Sequence, residues 1–399
     1  MVNNDNSAIP GEHGFVFHGK GWPFFKICLV NLLLTIITLG IYLPWAFVKS
    51  RRYIYENTEL NGVRFGYNAS GSVFFVSWLL IGVLLIIGSF ICTMISPALS
   101  SLPVLVLAIV MPLLAIQGLR YQALMTTLNN VRFGFRCGRG QAMWVMLILP
   151  LLLGIGAALI ITVCISILPT PETLSGIYTH VSVLILLVLL AMGIVNGIIY
   201  AKWMQLLGNN ASFGLHRFSV TVSVRRSIVI NIVSMLIMIP FVFVIGSLMG
   251  SLLMALMAGA ASGGIDPQTS INLMDQYQGQ IAASYLLYFA AILLMSVFAM
   301  SALRNLFING LRLEDKLTFR STITFVGLLM QVLVLSIAST FTLGLAYPWA
   351  KMRMMRYLAS CTFAVGNLDS VELKDSDEKQ DTGFFAAIGS GTMPALPFI

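Results

Sequence analysis

Thr58-Glu59-Leu60-Asn61-Gly62-Val63-Arg64-Phe65-Gly66 returns further along the chain as Thr126-Thr127-Leu128-Asn129-Asn130-Val131-Arg132-Phe133-Gly134. An arginine-tyrosine pair stands ahead of each copy, Arg52-Tyr53 and Arg120-Tyr121, with the phenylalanine thirteen residues after the arginine. A weaker third copy reads Asn209-Asn210 with Phe213-Gly214, and a faint fourth reads Asn309-Gly310-Leu311-Arg312. Long apolar runs separate the copies. The chain therefore reads as a phenylalanine signature, an apolar excursion and a basic-aromatic exit, repeated.

The 399 residues are 58% hydrophobic and only 10% charged, with a mean hydropathy of +0.91. Soluble globular proteins carry about a quarter charged residues, so this is an integral membrane protein. Apolar segments fall at roughly 23–46, 73–97, 102–119, 143–168, 180–200, 228–258, 282–302 and 321–347, most of them near the ~20 residues that cross a bilayer core. The run at 228–258 exceeds one span and contains Pro240, which predicts a kinked or tilted helix. The polar–apolar alternation of a membrane β-barrel is not apparent. The expected fold is all-α: a polytopic transmembrane helical bundle of about eight hydrophobic segments built from internal repeats. Its expected parts are a polar cytoplasmic N-terminus (1–22), a membrane domain (23–358) and a polar, disordered cytoplasmic tail (359–399), acidic from Gly366 onward. No removable signal peptide is indicated.

Charge placement predicts sidedness. The connections at 98–101, 169–179 and 259–281 hold no Lys or Arg, whereas 47–72, 120–142, 201–227 and 303–320 hold four each. The basic loops are expected to face the cytoplasm. Eight crossings would then leave the cations at the two ends of the chain on the wrong face. The short outer excursions carry twin motifs, Thr38-Leu39-Gly40 with Pro44-Trp45 and Thr342-Leu343-Gly344 with Pro348-Trp349. Either these two segments are re-entrant, turning near Gly40 and Gly344, or they cross and the charge bias is overruled by their neighbours.

Ionisable side chains inside the apolar segments, the usual mark of proton relays and ion coupling, are almost missing. The four histidines have no ligand spacing, the five cysteines are scattered, and no nucleotide or nucleophile motif occurs. The chain is expected to be no enzyme and to use no cofactor or metal. Asn31, Asn196, Asn231 and Gln331 are the candidate lining of a polar cavity, with helix packing as their plain alternative. Arg51, Arg52, Tyr53, Arg120, Tyr121, Arg356 and Tyr357 are candidates for holding lipid head groups, with interfacial anchoring as theirs. Membrane lipids, anionic ones included, are the expected partners. Nucleic acid is not.

Phe15-Val16-Phe17-His18-Gly19, the Thr38-Leu39-Gly40…Pro44-Trp45 motif, Arg52-Tyr53 and Phe65-Gly66-Tyr67 together resemble the YjgN family of bacterial inner-membrane proteins. The likeness runs over nearly the whole chain. It implies residence in the bacterial inner membrane and supplies no activity or catalytic residue. Passive transport or carriage of an uncharged or amphiphilic solute is the expected role, and lipid binding or scaffolding without transport is its competitor.

Overall fold

The structure, a computed structural model, describes residues 11–168, 174–261, 267–368, 374–375 and 383–392. Its organising feature lies in the repeated stretch. Asn61 and Gly62 both take left-handed backbone, with φ of +49° and +81°, as a two-residue type I′ hairpin turn requires. They join strands β2 (Thr58–Leu60) and β3 (Val63–Tyr67), and Leu60 pairs with Val63. Asn129 and Asn130, at +51° and +62°, do the same between β4 (Thr126–Leu128) and β5 (Val131–Phe135). Two further hairpins follow: β6 (Ala211–Phe213) with β7 (His216–Val220), and β8 (Leu311–Leu313) with β9 (Leu317–Ser321). The last pair comes from opposite ends of the fold, where β1 (Glu12–Phe17) lies antiparallel to β10 (Thr362–Gly366). The ten strands close into one antiparallel barrel.

This corrects the all-α expectation. The strands are only three to six residues long, far below the ~19-residue window in which hydropathy is read. They also lie where clustered cations made the chain look like loop. The alternation is present on that short scale: Glu59 pairs with Arg64 on one face of the first hairpin and Leu60 with Val63 on the other. The third copy is also shifted, because the residue placed like Phe65 and Phe133 is Phe218, not Phe213.

Five helical excursions leave the barrel. The first holds α1 (Gly21–Ile37) and α2 (Leu43–Glu56), and the second α3 (Gly71–Ile95) and α4 (Leu102–Met125). The third holds α5 (Arg139–Met143), a π-helical turn (Trp144–Ile148), α6 (Leu149–Ile167) and α7 (Leu174–Asn210). The fourth holds α8 (Val224–Leu236), α9 (Met238–Ala261) and α10 (Pro267–Gly310). The fifth holds α11 (Phe325–Phe341) and α12 (Tyr347–Ser360). Helix α8 stops at Leu236, four residues before Pro240, whose ring clashes with the carbonyl at that spacing. Among the described residues, six helical stretches are long and apolar enough to cross a membrane, two in each of the three middle excursions; α1 and α11 are shorter.

Every excursion ends beside the place where it began. The residue pairs Phe17–Thr58, Tyr67–Thr126, Phe135–Ala211, Val220–Leu311 and Ser321–Thr362 are partners in the barrel. One backbone hydrogen bond repeats five times just past them: the N–H groups of His18, Asn68, Arg136, Thr221 and Thr322 donate to the carbonyls of Asn57, Met125, Asn210, Gly310 and Cys361, at 2.8–3.0 Å. The five excursions thus leave from and return to one rim of the barrel, and the hairpin turns lie at the other.

The twin motif is a turn between two helices. The Thr38 hydroxyl donates to Leu34 O (2.7 Å) and accepts the Tyr42 N–H (3.0 Å), capping α1 and opening α2 together. Thr342 does the same for α11 and α12. Leu39 and Gly40, like Leu343 and Gly344, have positive φ. Leu39 and Leu343 are about 94–95% exposed at these tips, which is apolar surface suited to lipid. Pro44 and Pro348 sit in the first turn of their helices, where no N–H is missed. Trp45 covers Gly71 and Trp349 covers Gly21, with no room for a Cβ at either glycine.

The chain forms two compact units. One takes in the chain up to Leu152, Ile199–Ser223 and the part from Leu303 onward, and so contains the barrel; the other is Leu153–Ile198 with Val224–Ala302. In the second, Gly193 and Gly197 lie directly against the backbone of Ile232 and Ile228, and the Ser227 hydroxyl donates to Gly197 O at 2.7 Å. That is close small-residue helix packing. Parts of the tail expected to be disordered are placed in the first unit. Asp375 accepts the Arg132 N–H at 3.1 Å. Helix α13 (Phe384–Gly389) packs on α3 and α4, where Trp78 Nε1 donates to Gly391 O (3.0 Å) and the Thr392 hydroxyl donates to Leu114 O (2.7 Å). The remaining tail residues and 1–10 lie outside the described residues.

Candidate binding site

The barrel is not filled. Its wall lines a pocket of about 660 Å³, within the range of small-molecule sites. A barrel of eight strands is just wide enough to fill itself or hold one small ligand, and diameter grows with strand number. The odd-numbered strands place Phe15, Phe65, Phe133, Phe218 and Phe319 at matching positions in the wall, and β5 adds Phe135. Successive ring centroids lie 6.1, 6.2, 6.5 and 6.0 Å apart, so the rings form a belt. Leu60, Leu128, Phe213 and Leu313 from the even-numbered strands add to the wall. Val131, Phe213, Leu313 and Leu317 are buried in one cluster, with Leu368 packed on it.

The polar groups stand at the two ends. Asn61 and Asn129 are at the hairpin turns; Tyr55, Gln122, Thr126, Arg304 and Thr362 are at the helix rim. Among the described residues, Arg304 is the one Lys or Arg in the wall and no Asp, Glu or His lines it. Its Nη2 donates to Thr362 Oγ1 at 3.0 Å, and that hydroxyl donates to Leu358 O at 2.8 Å. Gln122 Oε1 accepts from Arg51. Tyr55 stacks on Tyr67, ring centroids 5.0 Å apart, and burial pushes the Tyr67 phenol up to about 12.

The candidate head-group residues form a repeated internal clamp. Arg52 donates from Nε to Tyr67 O (3.1 Å) and from Nη2 to Ala69 O (2.9 Å). At the same place in other repeats Gln205 donates to Val222 O, Asn305 to Ile323 O and Arg356 to Gly19 O. The hydroxyls of Tyr53, Tyr121 and Tyr357 accept the N–H groups of Lys20, Ser70 and Thr324. Arg120 occupies the clamp position on α4. The arginine or amide ties the end of a returning helix to the chain leaving the next odd-numbered strand, which for Arg356 is β1. The tyrosine ties it to the chain leaving the strand before its own excursion.

The four candidate cavity residues lie elsewhere. Asn31 bridges α1 and α2, donating to Ala46 O (3.1 Å) and Ser50 Oγ (3.3 Å). Asn231 is buried and donates to Ser227 O within its own helix. Asn196 and Gln331 are half-buried, and none of the four lines the barrel. The residues that do were signalled by Asn61-Gly62, the strongest short hairpin signature, and by a phenylalanine at the same offset in successive repeats.

At the turn rim His216 Nδ1 lies 3.0 Å from Glu314 Oε2, and the Arg217 N–H donates to Glu314 Oε1 at 3.4 Å. The bond from His216 first, and His216 charge after it, hold the Glu314 carboxyl below its ordinary value. A depressed carboxylate contributes stability above its unfolded pKa and loses it as pH falls through the folded one. Glu314→Gln should therefore lower Tm slightly near pH 7 and converge with wild type below about pH 4.5, which flattens the acid limb of Tm against pH. An unaltered acid limb would remove this linkage.

The model of a family described as "Bacterial protein of unknown function (DUF898)" matches residues 12–392. The chain belongs to this family. The DUF898 match opens at the first residue of β1 and closes at Thr392, the residue bonded to Leu114. Over 405 residues and the full length of both chains, the protein is 42% identical to the inner membrane protein YjgN of Salmonella typhimurium. It is 37% identical over 400 residues to the inner membrane protein YjgN of Escherichia coli K12, again with both chains covered. No solved structure matches. With six apolar spans, it is a multi-pass inner-membrane protein of the YjgN family, whose function is uncharacterised.

Proposed function

We propose that the protein holds the apolar part of an uncharged or amphiphilic molecule inside the barrel, without catalysis. One observation carries this reading: a closed barrel keeps about 660 Å³ open behind a belt of five phenylalanines. An aqueous pore would call for polar walls, whereas these suit hydrocarbon. The hairpins and helix rims hold most of the Lys and Arg of the chain, which supports a barrel on the cytoplasmic face, beside the inner leaflet. The competing reading, lipid phosphates on the basic-aromatic residues, is weaker because Arg52, Arg356 and three tyrosines bond to backbone.

The test is photolabelling in phosphatidylcholine nanodiscs with a diazirine-bearing hexadecan-1-ol, followed by peptide mapping. Adducts are expected on β4, β5 and β7, and Leu128→Trp, which fills the lumen, should remove them selectively. Adducts confined to the lipid-exposed helices would defeat the reading.

A further inference from the structure

We infer that the first and fifth excursions are re-entrant wedges. They enter the hydrocarbon of the leaflet beside the barrel, turn at Leu39 and Gly40 and at Leu343 and Gly344, and return without reaching the far face. The partner of these tips is the acyl chains of that one leaflet. The inference goes beyond the reading of the barrel as a binding site and stands whether or not the barrel holds a ligand. Both ends of each excursion lie on the same rim, where Phe17 pairs with Thr58 and Ser321 with Thr362. The open question is how deep each tip goes.

Two tryptophans gauge the depth. Trp45 lies against Gly71, the first residue of α3, with its ring centroid 5.3 Å from that of Phe75. Trp349 lies likewise against Gly21, the first residue of α1, with its ring centroid 5.0 Å from that of Phe25. Leu39 is six residues from Trp45, and Leu343 six from Trp349, about 9 Å at the helical rise. Each tip thus stands about 9 Å beyond the first turn of the neighbouring outgoing helix, inside one leaflet of about 15 Å. The 25 residues of α3, by contrast, rise about 37 Å. The cations set the same limit. Lys49 is ten residues from Leu39 and Lys351 eight from Leu343, and Lys49 Nζ sits 5.5 Å from the centre of the Tyr42 ring. Deeper insertion would carry these charges toward mid-membrane, where they are costly.

The tips are made for hydrocarbon. Ile37, Leu39, Ile41, Phe341, Leu343 and Leu345 are exposed on them. In lipid each backbone N–H needs a partner within the protein, and those of residues 38–43 all have one. Five donate to carbonyls of α1 and the turn, and that of Tyr42 donates to the Thr38 hydroxyl. Residues 342–347 repeat the pattern, with Ala346 donating to the Thr342 hydroxyl. The tip between α3 and α4 differs in kind: Ser96, Ser100 and Ser101 make it polar, as suits water beyond a full span.

The test places a fluorescent amino acid at Leu39, Leu343 or Ser100 of the full chain, one site per variant, in phosphatidylcholine nanodiscs. Two quenchers are compared: phosphatidylcholine brominated on its chains, and aqueous iodide, which reaches both faces of the disc. Brominated chains are expected to quench positions 39 and 343. Iodide should quench those two at least about tenfold less than position 100, because an ion does not enter hydrocarbon. Iodide reaching 39 and 343 as readily as 100 would overturn the inference, whether the tips have crossed to the far face or never entered the bilayer. So would the absence of quenching by brominated chains at both tips. If a label at Leu39 or Leu343 disturbs its turn, Ile41 and Leu345 take their place, and the same two results decide.

Discussion

Phe133→Ala is expected to lower the stability of the barrel by about 3 kcal/mol, the low end of the cost of deleting a packed phenylalanine. The low end applies because one side of the ring faces the cavity and already lacks neighbours. Even so, Phe133 has three ring neighbours, two in the belt and one on β6: it lies 6.2 Å from Phe65, 6.5 Å from Phe218 and 4.9 Å from Phe213. Its removal opens the belt between the second and third hairpins and adds volume to a space that is already empty. Tm should fall by several degrees in thermal unfolding of the purified protein. Phe133→Leu should recover most of the loss, because it restores apolar volume without the ring geometry. Equal Tm for wild type and Phe133→Ala would mean that the belt does not hold the barrel together.

Arg52→Ala should cost a similar amount, about 3 kcal/mol, for a different reason. Two carbonyls, Tyr67 O and Ala69 O, lose a charged donor at once, and an acceptor orphaned in a buried place costs about 1–3 kcal/mol. The discriminating variant is Arg52→Gln. At the equivalent place Gln205 makes the same bond to Val222 O at 3.0 Å, so an uncharged amide can serve. Recovery of most of the stability by Arg52→Gln is expected if the clamp is what matters. If Arg52 acts mainly by binding lipid phosphate, charge is indispensable and Arg52→Lys, not Arg52→Gln, should be the variant that recovers. Tm measured in nanodiscs with and without anionic lipid distinguishes the two.

The candidate sites were legible to different degrees. Arg52, Tyr53, Arg356 and Tyr357 were visible as a repeated pair beside each excursion, but their partners were not, because Tyr67 O, Lys20 and Gly19 O are brought to them by strand pairing. Asn31, Asn196, Asn231 and Gln331 drew notice as polar residues in apolar runs, yet polarity does not say which way a side chain faces. Arg304 carried no mark that set it apart from the other arginines of the loops. Only the closure of the barrel put it in a wall with Thr362.

Sequence alone determined membrane residence, because the transfer of apolar residues to hydrocarbon adds up along a single helix and needs no distant partner. It also determined the repeat and the gathering of cations between excursions. What only the tertiary structure decided is that the repeated stretches are strands, that Glu12 finds Val365 from the other end of the fold, and that the ring so closed stays hollow. A three-residue strand has almost no stability of its own. It exists because its neighbours on both sides satisfy its backbone; one is usually the other arm of its hairpin, and the other lies tens to hundreds of residues away in the chain.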